Sequence, residues 1–188
     1  MMTALSCALI CALLLAIDLI SKTVVAAYDI HQIDYFLNLV RIDFHKNNGM
    51  MLGIGDKSAE WVMILVTALT GVMIVGIVVL FFTLFKKNRP AQVALAVIEA
   101  GAVGNFIDRV CLDYVRDFLN VKKVWFFPSY TANFADVCIM AGAVVLIFII
   151  LFIGKGAVFP ITKKWRDQAK AEDARKARMK QEKKRDKQ

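Results

Sequence analysis

The chain of 188 residues contains only two histidines, four cysteines and three prolines. His31 and His45 stand apart from each other and from the cysteines, so no zinc-ligand spacing is present. Cys7, Cys11, Cys111 and Cys138 form no C-x-x-C pair and mostly fall inside apolar runs. They read as small apolar residues, not as a disulfide or metal framework. No Ser/His/Asp set is apparent, and Ser21 beside Lys22 makes no Ser/Lys dyad, because adjacent helical positions do not face each other. No basic residue precedes the first apolar run, and Asp18 and Lys22 lie where a cleavable leader would approach its cut site. The N-terminus therefore reads as a retained span.

Net charge is missing from most of the chain. Residues 1–154 carry 11 basic and 11 acidic side chains, and the whole excess of +8 lies in residues 155–188. What the chain has in surplus is apolar residues, 59% of the total, against about 45–50% in a soluble domain. That excludes an ordinary water-soluble globule. The apolar residues gather in four stretches, Ala4–Ala27, Trp61–Phe85, Ala91–Ile107 and Phe134–Ile153, and crossing a bilayer takes about 20 such residues. The expected architecture is an all-α membrane protein: a four-helix transmembrane bundle over residues 1–154, with a basic tail over 155–188. The tail has no apolar stripe wide enough for a core, which predicts a solvated helix or a disordered arm. Beside a membrane span such a run fixes topology and feels anionic lipid more often than it binds nucleic acid.

Four spans place both termini on one side, together with the loop containing Lys86, Lys87 and Arg89. The basic side is the cytoplasm, so residues 28–60 and 108–133 form the outer loops. Asn105 and Asp108 then lie at the outer end of the third span, Asn133 and Asp136 at the outer start of the fourth, and Asp117 between them. Asp18 lies roughly 20 Å along the first span, in its outer half. A charged group at bilayer depth costs about 2.5–3.5 kcal/mol, so several at one depth mark a site. Helical spacing puts Gly101, Asn105 and Asp108 on one face, and likewise Asn133 with Asp136 and Asp18 with Lys22. Glu99 points roughly 160° away from Gly101 and has no role in that layer. Residues 111–127 are expected to form short strands with a turn near Asn120–Lys123, part of a small extracytoplasmic cap that holds Asp117 above the helices. Trp125, Phe126, Phe127 and Pro128 read as an interfacial anchor.

With other nucleophiles and metal ligands lacking, carboxylates are what remain for chemistry. Two held a few ångströms apart do not both ionise easily, so one keeps a proton while the other can activate water. Proton carriers use the same pairing, which leaves a small proton-coupled transporter as an alternative. A non-catalytic membrane protein whose tail recruits a cytosolic factor is a third reading.

In order, the outer elements spell Asp18-Leu-Ile-Ser-Lys22, Asn47-Asn-Gly49, Gly101-Ala-Val-Gly104-Asn105-Phe-Ile-Asp108-Arg109, Val115-Arg-Asp117-Phe118 and Asn133-Phe-Ala135-Asp136. This resembles the bacterial lipoprotein signal peptidases (signal peptidase II), with the motifs D-x-x-x-K, N-x-G, G-x-x-G-N-x-x-D-R, V-x-D-F and N-x-A-D. The resemblance implies an aspartic endopeptidase of the bacterial cytoplasmic membrane that cuts lipidated prolipoproteins before a diacylglyceryl cysteine and uses no cofactor or metal. Transferred by position, it implies Asp117 and Asp136 as the catalytic pair. Asn105 and Asn133 would bind substrate backbone or orient the aspartates, and Asp108 and Arg109 would pair to pin the loop. Asp18 and Lys22 would stabilise the first span, while Asn47 and Gly49 would shape a loop over the substrate, with Gly101 and Ala135 in support. The sequence departs from the family in Met50, Met51 and Leu52 after the N-x-G, in Glu99, in its long tail, and in Asp113, where the family often has Gly. The turn before Asp117 thus needs a left-handed residue, which Asp tolerates at some cost.

Overall fold

The computed structural model describes residues 4–28, 30, 33–35, 40–48, 60–86, 88–122 and 129–153, with single positions at 167, 171, 174, 175, 178 and 179. The chain divides into two compact units, Met1–Ala143 and Val144–Gln188. The second contains the last turns of the final helix and the tail, whose described positions are helical and exposed.

Four helices are long and apolar enough to cross a membrane: α1 (Ala4–Ala27), α2 (Glu60–Phe82), α3 (Arg89–Leu112) and α4 (Phe134–Phe152). In α1 the buried residues are Cys7, Asp18, Lys22 and Val25, one stripe at helical spacing. α2 buries little, in keeping with an outer surface made for lipid. α3 is the most buried of the four, and it starts on a cap in which the Asn88 side chain accepts from the Ala91 N–H at 3.2 Å. Its packing needs small residues. A Cβ on Gly101 would strike the backbone carbonyl of Ala135 in α4, and one on Gly104 would strike the Asp18 carboxylate of α1. These two glycines therefore serve close helix approach.

Between α1 and α2 lie β1 (Ile33–Tyr35) and β2 (Val40–Asn47), and between α3 and α4 lie β3 (Val115–Val121) and β4 (Tyr130–Ala132). They form one antiparallel sheet in the order β1-β2-β3-β4. The connections α1–α2 and α3–α4 thus meet in a single sheet. β2 pairs with β3 so that Asn47 faces Val115 and His45 faces Asp117, with an irregularity between Ile42 and His45. The expected strand near Val115 is present, whereas residues 111–112 complete α3. Asn120 and Val121 of the expected turn belong to β3, and Lys123 lies outside the described residues. The strands of the first connection were not expected.

α3 continues past Ile107 to Leu112 and stops at Asp113, the one described non-glycine residue with positive φ, 62°. Its N–H donates to the Arg109 carbonyl at 3.2 Å, a left-handed C-terminal cap of the kind glycine usually supplies. Asp113→Gly is expected to stabilise the protein by about 0.5–1 kcal/mol by relieving the left-handed backbone. Denaturation in detergent micelles measures this, and a loss of stability would contradict it.

Candidate active site

The site is built around the first turn of α4. Its leading N–H groups need acceptors, and Asn133 and Asp136 supply two reciprocally. The Asn133 Oδ1 accepts from the Asp136 N–H at 3.1 Å, and the Asp136 Oδ2 accepts from the Asn133 N–H at 3.1 Å. This is a capping box with Asn and Asp in place of Ser/Thr and Glu. Asp18 reaches across from α1 to accept the Ala135 N–H on Oδ1 at 2.8 Å. The N-x-A-D segment is thus a helix start, and it fixes the Asp136 carboxylate by its own backbone.

The capping also determines which way the asparagine amides point. With Oδ1 of Asn133 committed to the cap, its Nδ2 faces outward and donates to Asp117 Oδ1 at 2.7 Å and to Asn105 Oδ1 at 3.1 Å. Lys22, fully buried, donates from Nζ to Asn105 Oδ1 at 2.9 Å. An ammonium group can only donate, so Asn105 must turn its Nδ2 the other way, where it meets Asp136 Oδ1 at 2.8 Å. Asn47 of β2 donates to Asp117 Oδ2 at 2.8 Å, and Thr131 of β4 approaches the same oxygen at 3.4 Å.

Asp117 and Asp136, one from a strand and one from a helix, therefore share Asn133 as a donor. Asp117 is almost fully buried. Burial pushes its carboxyl above the ordinary aspartate range, and the Asp136 charge adds to the rise; the hydrogen bonds from Asn47 and Asn133 oppose it but do not cancel it.

Arg109 donates from Nη1 to the Asn105 carbonyl at 3.3 Å, and its charge acts on Asp136 and Asp117. It does not pair with Asp108, contrary to expectation. Neighbours on a helix diverge by about 100°, and Asp108 turns instead to Arg116 of β3, with Nη2 to Oδ1 at 2.7 Å. Lys22 Nζ lies 2.8 Å from Asp18 Oδ2 and 3.6 Å from Asp108 Oδ2. Asp18 and Lys22 thus tie α1 to α3 and α4, and do more than stabilise their own helix. A groove of about 180 Å³ opens beside Asp136, with Asn47, Asn105, Arg109 and Asp136 as its polar wall and Val115, Ile139 and Met140 as its apolar wall. The Arg109 Nε is buried and has no hydrogen-bond partner among the described residues.

The structure brings together Asp18, Lys22, Asn47, Asn105, Asp108, Arg109, Asp117, Asn133, Ala135 and Asp136. Gly49, Met50, Met51, Leu52 and the stretch from Trp125 to Pro128 lie outside the described residues. Glu99 lies elsewhere, on the wall of a separate apolar cavity between α1, α2 and α3. Sequence reasoning missed Arg116 and Thr131. Strand alternation around Asp117 would have pointed Arg116 to the opposite side from that carboxylate, toward the helices. Among the described residues, no three His, Cys, Asp or Glu side chains converge on a metal position.

A sequence profile of the family described as signal peptidase (SPase) II matches residues 10–152. A lipoprotein signal peptidase of Brevibacillus brevis is 34% identical over 149 residues, covering 78% of this chain and 95% of that protein. One from Fusobacterium nucleatum is 33% identical, covering 76% and 84%. A solved bacterial membrane enzyme, determined by the in meso method at 1.9 Å resolution, superposes with a TM-score of 0.68 at 28% identity, covering 78% of this chain and 92% of that one. The chain carries the family's pattern along nearly all of its helical part, and it belongs to the signal peptidase II family of proteases as a multi-pass bacterial membrane protein.

Proposed function

We propose that the chain is an aspartic endopeptidase in which Asp117 and Asp136 are the catalytic pair. Membership of the signal peptidase II family makes it an enzyme that removes signal peptides from prolipoproteins, and the proposal concerns how and where it does so. The observation that carries it is the convergence of two carboxylates on Asn133, one of them pushed toward keeping its proton. A water held between them would lose a proton to the ionised carboxylate and attack the scissile carbonyl. The protonated partner would polarise that carbonyl and later protonate the departing amine. The pair titrates as a unit, and with one proton on it the remaining negative charge is balanced by Arg109. Arg109 lines the groove, and its guanidinium would be a donor for a substrate carbonyl there. The neighbouring amides of Asn105 and Asn133 are already spent on the aspartates, so they orient the pair more than they bind substrate.

Lys86, Lys87, Arg89 and the basic tail support a cytoplasmic side for the loop between α2 and α3 and for the termini. The sheet and the groove then lie at the outer surface. A cysteine carrying diacylglyceryl keeps its acyl chains in the outer leaflet, which holds the bond to be cut at the depth of Asp117 and Asp136. Anchoring by lipid leaves few polar contacts needed to set register, and the tail would lie against anionic lipid. The transporter alternative finds no support in the family match.

The test is cleavage of a diacylglyceryl prolipoprotein by the purified protein across pH. The expected profile of kcat/KM is a bell: the acid limb marks protonation of both carboxylates, and the alkaline limb marks loss of the shared proton. Because Asp117 is raised, the alkaline limb should lie above the ordinary aspartate value of about 3.9. Asn47 donates to the charged form of Asp117, so Asn47→Ala should move that limb to still higher pH. A limb that moves down would reject the assignment of the proton, and a flat profile would reject the pair.

A further inference from the structure

We propose that Arg116 is a positioning residue for this chemistry: its guanidinium locks the strand that carries Asp117 onto the helix bundle. The inference rests on the reading of Asp117 and Asp136 as the catalytic pair. Adjacent strand residues project to opposite sides, so Asp117 can be held on one side by Asn47 and Asn133 while Arg116 anchors the other. The anchor is extensive. Arg116 Nε lies 3.2 and 3.3 Å from the two oxygens of Asp108, and Nη2 lies 2.7 Å from Oδ1. The Arg116 backbone N–H donates to Asp108 Oδ2 at 3.0 Å, and Nη1 donates to Thr23 Oγ1 at 3.1 Å. One side chain thus joins β3 to α3 and α1. The Asp108 carboxylate is fully buried and the Arg116 side chain is only 14% exposed, so water competes little for the fork.

Asp108 is also the joint between the two halves of the site. Its Oδ2 lies 3.6 Å from Lys22 Nζ, the group that orients the Asn105 amide toward Asp136. Through Arg116 the same carboxylate holds the strand bearing Asp117. A guanidinium presents a planar fork that matches a carboxylate, whereas an ammonium is a point donor. Lysine at this position would keep the charge and lose the geometry.

The experiment compares the full-length parent, Arg116→Lys and Arg116→Ala in detergent or nanodiscs by hydrogen exchange of the β3 amides and by cleavage kinetics with a pH profile. The expected results are exchange that speeds up more across Val115–Leu119 than in the helices, and a kcat lower by about 10–100-fold in Arg116→Ala, as small misplacements of reacting groups produce. KM should stay within about twofold and the pH limbs should move, because Asp117 loses its fixed donors. Arg116→Lys should fall between the two. Unchanged exchange in β3 would overturn the proposal, as would faster exchange with the parent kcat and pH limbs, which is what a merely structural tie would give. A parent protein that cleaves no prolipoprotein would reject the catalytic pair instead, and the exchange data would still decide the clamp.

Discussion

Replacing Asp117 or Asp136 by asparagine is expected to lower cleavage of a diacylglyceryl prolipoprotein by about 10³-fold or more, near the upper range of what positioned acid–base groups contribute. The geometry makes these substitutions less innocent than their shape implies. Each carboxylate oxygen of Asp117 already accepts an N–H, at 2.7 Å from Asn133 and 2.8 Å from Asn47. An asparagine amide would have to turn its NH₂ toward one of those donors. A protonated carboxyl avoids that conflict, since an O–H oxygen keeps a lone pair. At Asp136 the same opposition arises between Asn105 and the Asn133 backbone N–H. Asn105 cannot relieve it by flipping, because Lys22 holds its carbonyl. Each variant should therefore lose about 1–3 kcal/mol of stability while retaining its helical content by circular dichroism. Near-normal cleavage by both folded variants would end the aspartic reading. Loss in both, with the fold intact, is the outcome expected.

How much of this was legible beforehand depended on the range of the interaction. The four apolar runs and the charge asymmetry are properties of composition along the chain, so the bundle could be read without knowing any contact. The convergence of Asp18, Asn105, Asp117, Asn133 and Asp136 was expected from alternating span direction, and in the structure hydrogen bonds link Asn105, Asp117, Asn133 and Asp136, with Asp18 on the neighbouring Ala135 N–H. The left-handed residue expected before Asp117 is Asp113. What stayed hidden was partner choice. Asp108 and Arg109 adjoin in sequence but diverge on the helix, and the actual partner, Arg116, reaches Asp108 only after the chain reverses from α3 into β3. Asn133 is read from sequence as binding substrate backbone or orienting the aspartates, and its bond to the Asp136 N–H, which caps α4, was not foreseen. β2 was missed although Val40, Ile42 and Phe44 alternate with Arg41, Asp43 and His45. Three residues of one face on a connection otherwise full of charge are a weak signal until a neighbouring strand gives them a surface to cover.

Lys22→Met is expected to cost about 3–5 kcal/mol, the range for removing one partner of a buried ion pair. Among the described contacts Asp18, Lys22, Asp108 and Arg116 form a neutral set, two acids and two bases, all of them buried except part of the Arg116 side chain. Removing the ammonium leaves that set with an uncompensated negative charge beside Gly104 and α4, in a layer where water cannot replace it. The loss should be strongly coupled to Asp18. An asparagine at position 18 keeps an oxygen for the Ala135 N–H, now at 2.8 Å, without the charge. Asp18→Asn combined with Lys22→Met should accordingly be less destabilised than Lys22→Met alone, since removing both charges of a buried pair costs far less than removing one. Activity should part company with stability in that double variant. Its Asn105 carbonyl, no longer gripped by Lys22, is held by Asn133 Nδ2 alone at 3.1 Å, and the Asn105 amide that now donates to Asp136 at 2.8 Å is aimed less firmly. Denaturation in micelles and prolipoprotein cleavage on the single and double variants measure both effects. Additive costs in the first assay would show that the ion pair does not operate as a unit, and full cleavage by the double variant would show that Asn105 needs no lysine to aim it.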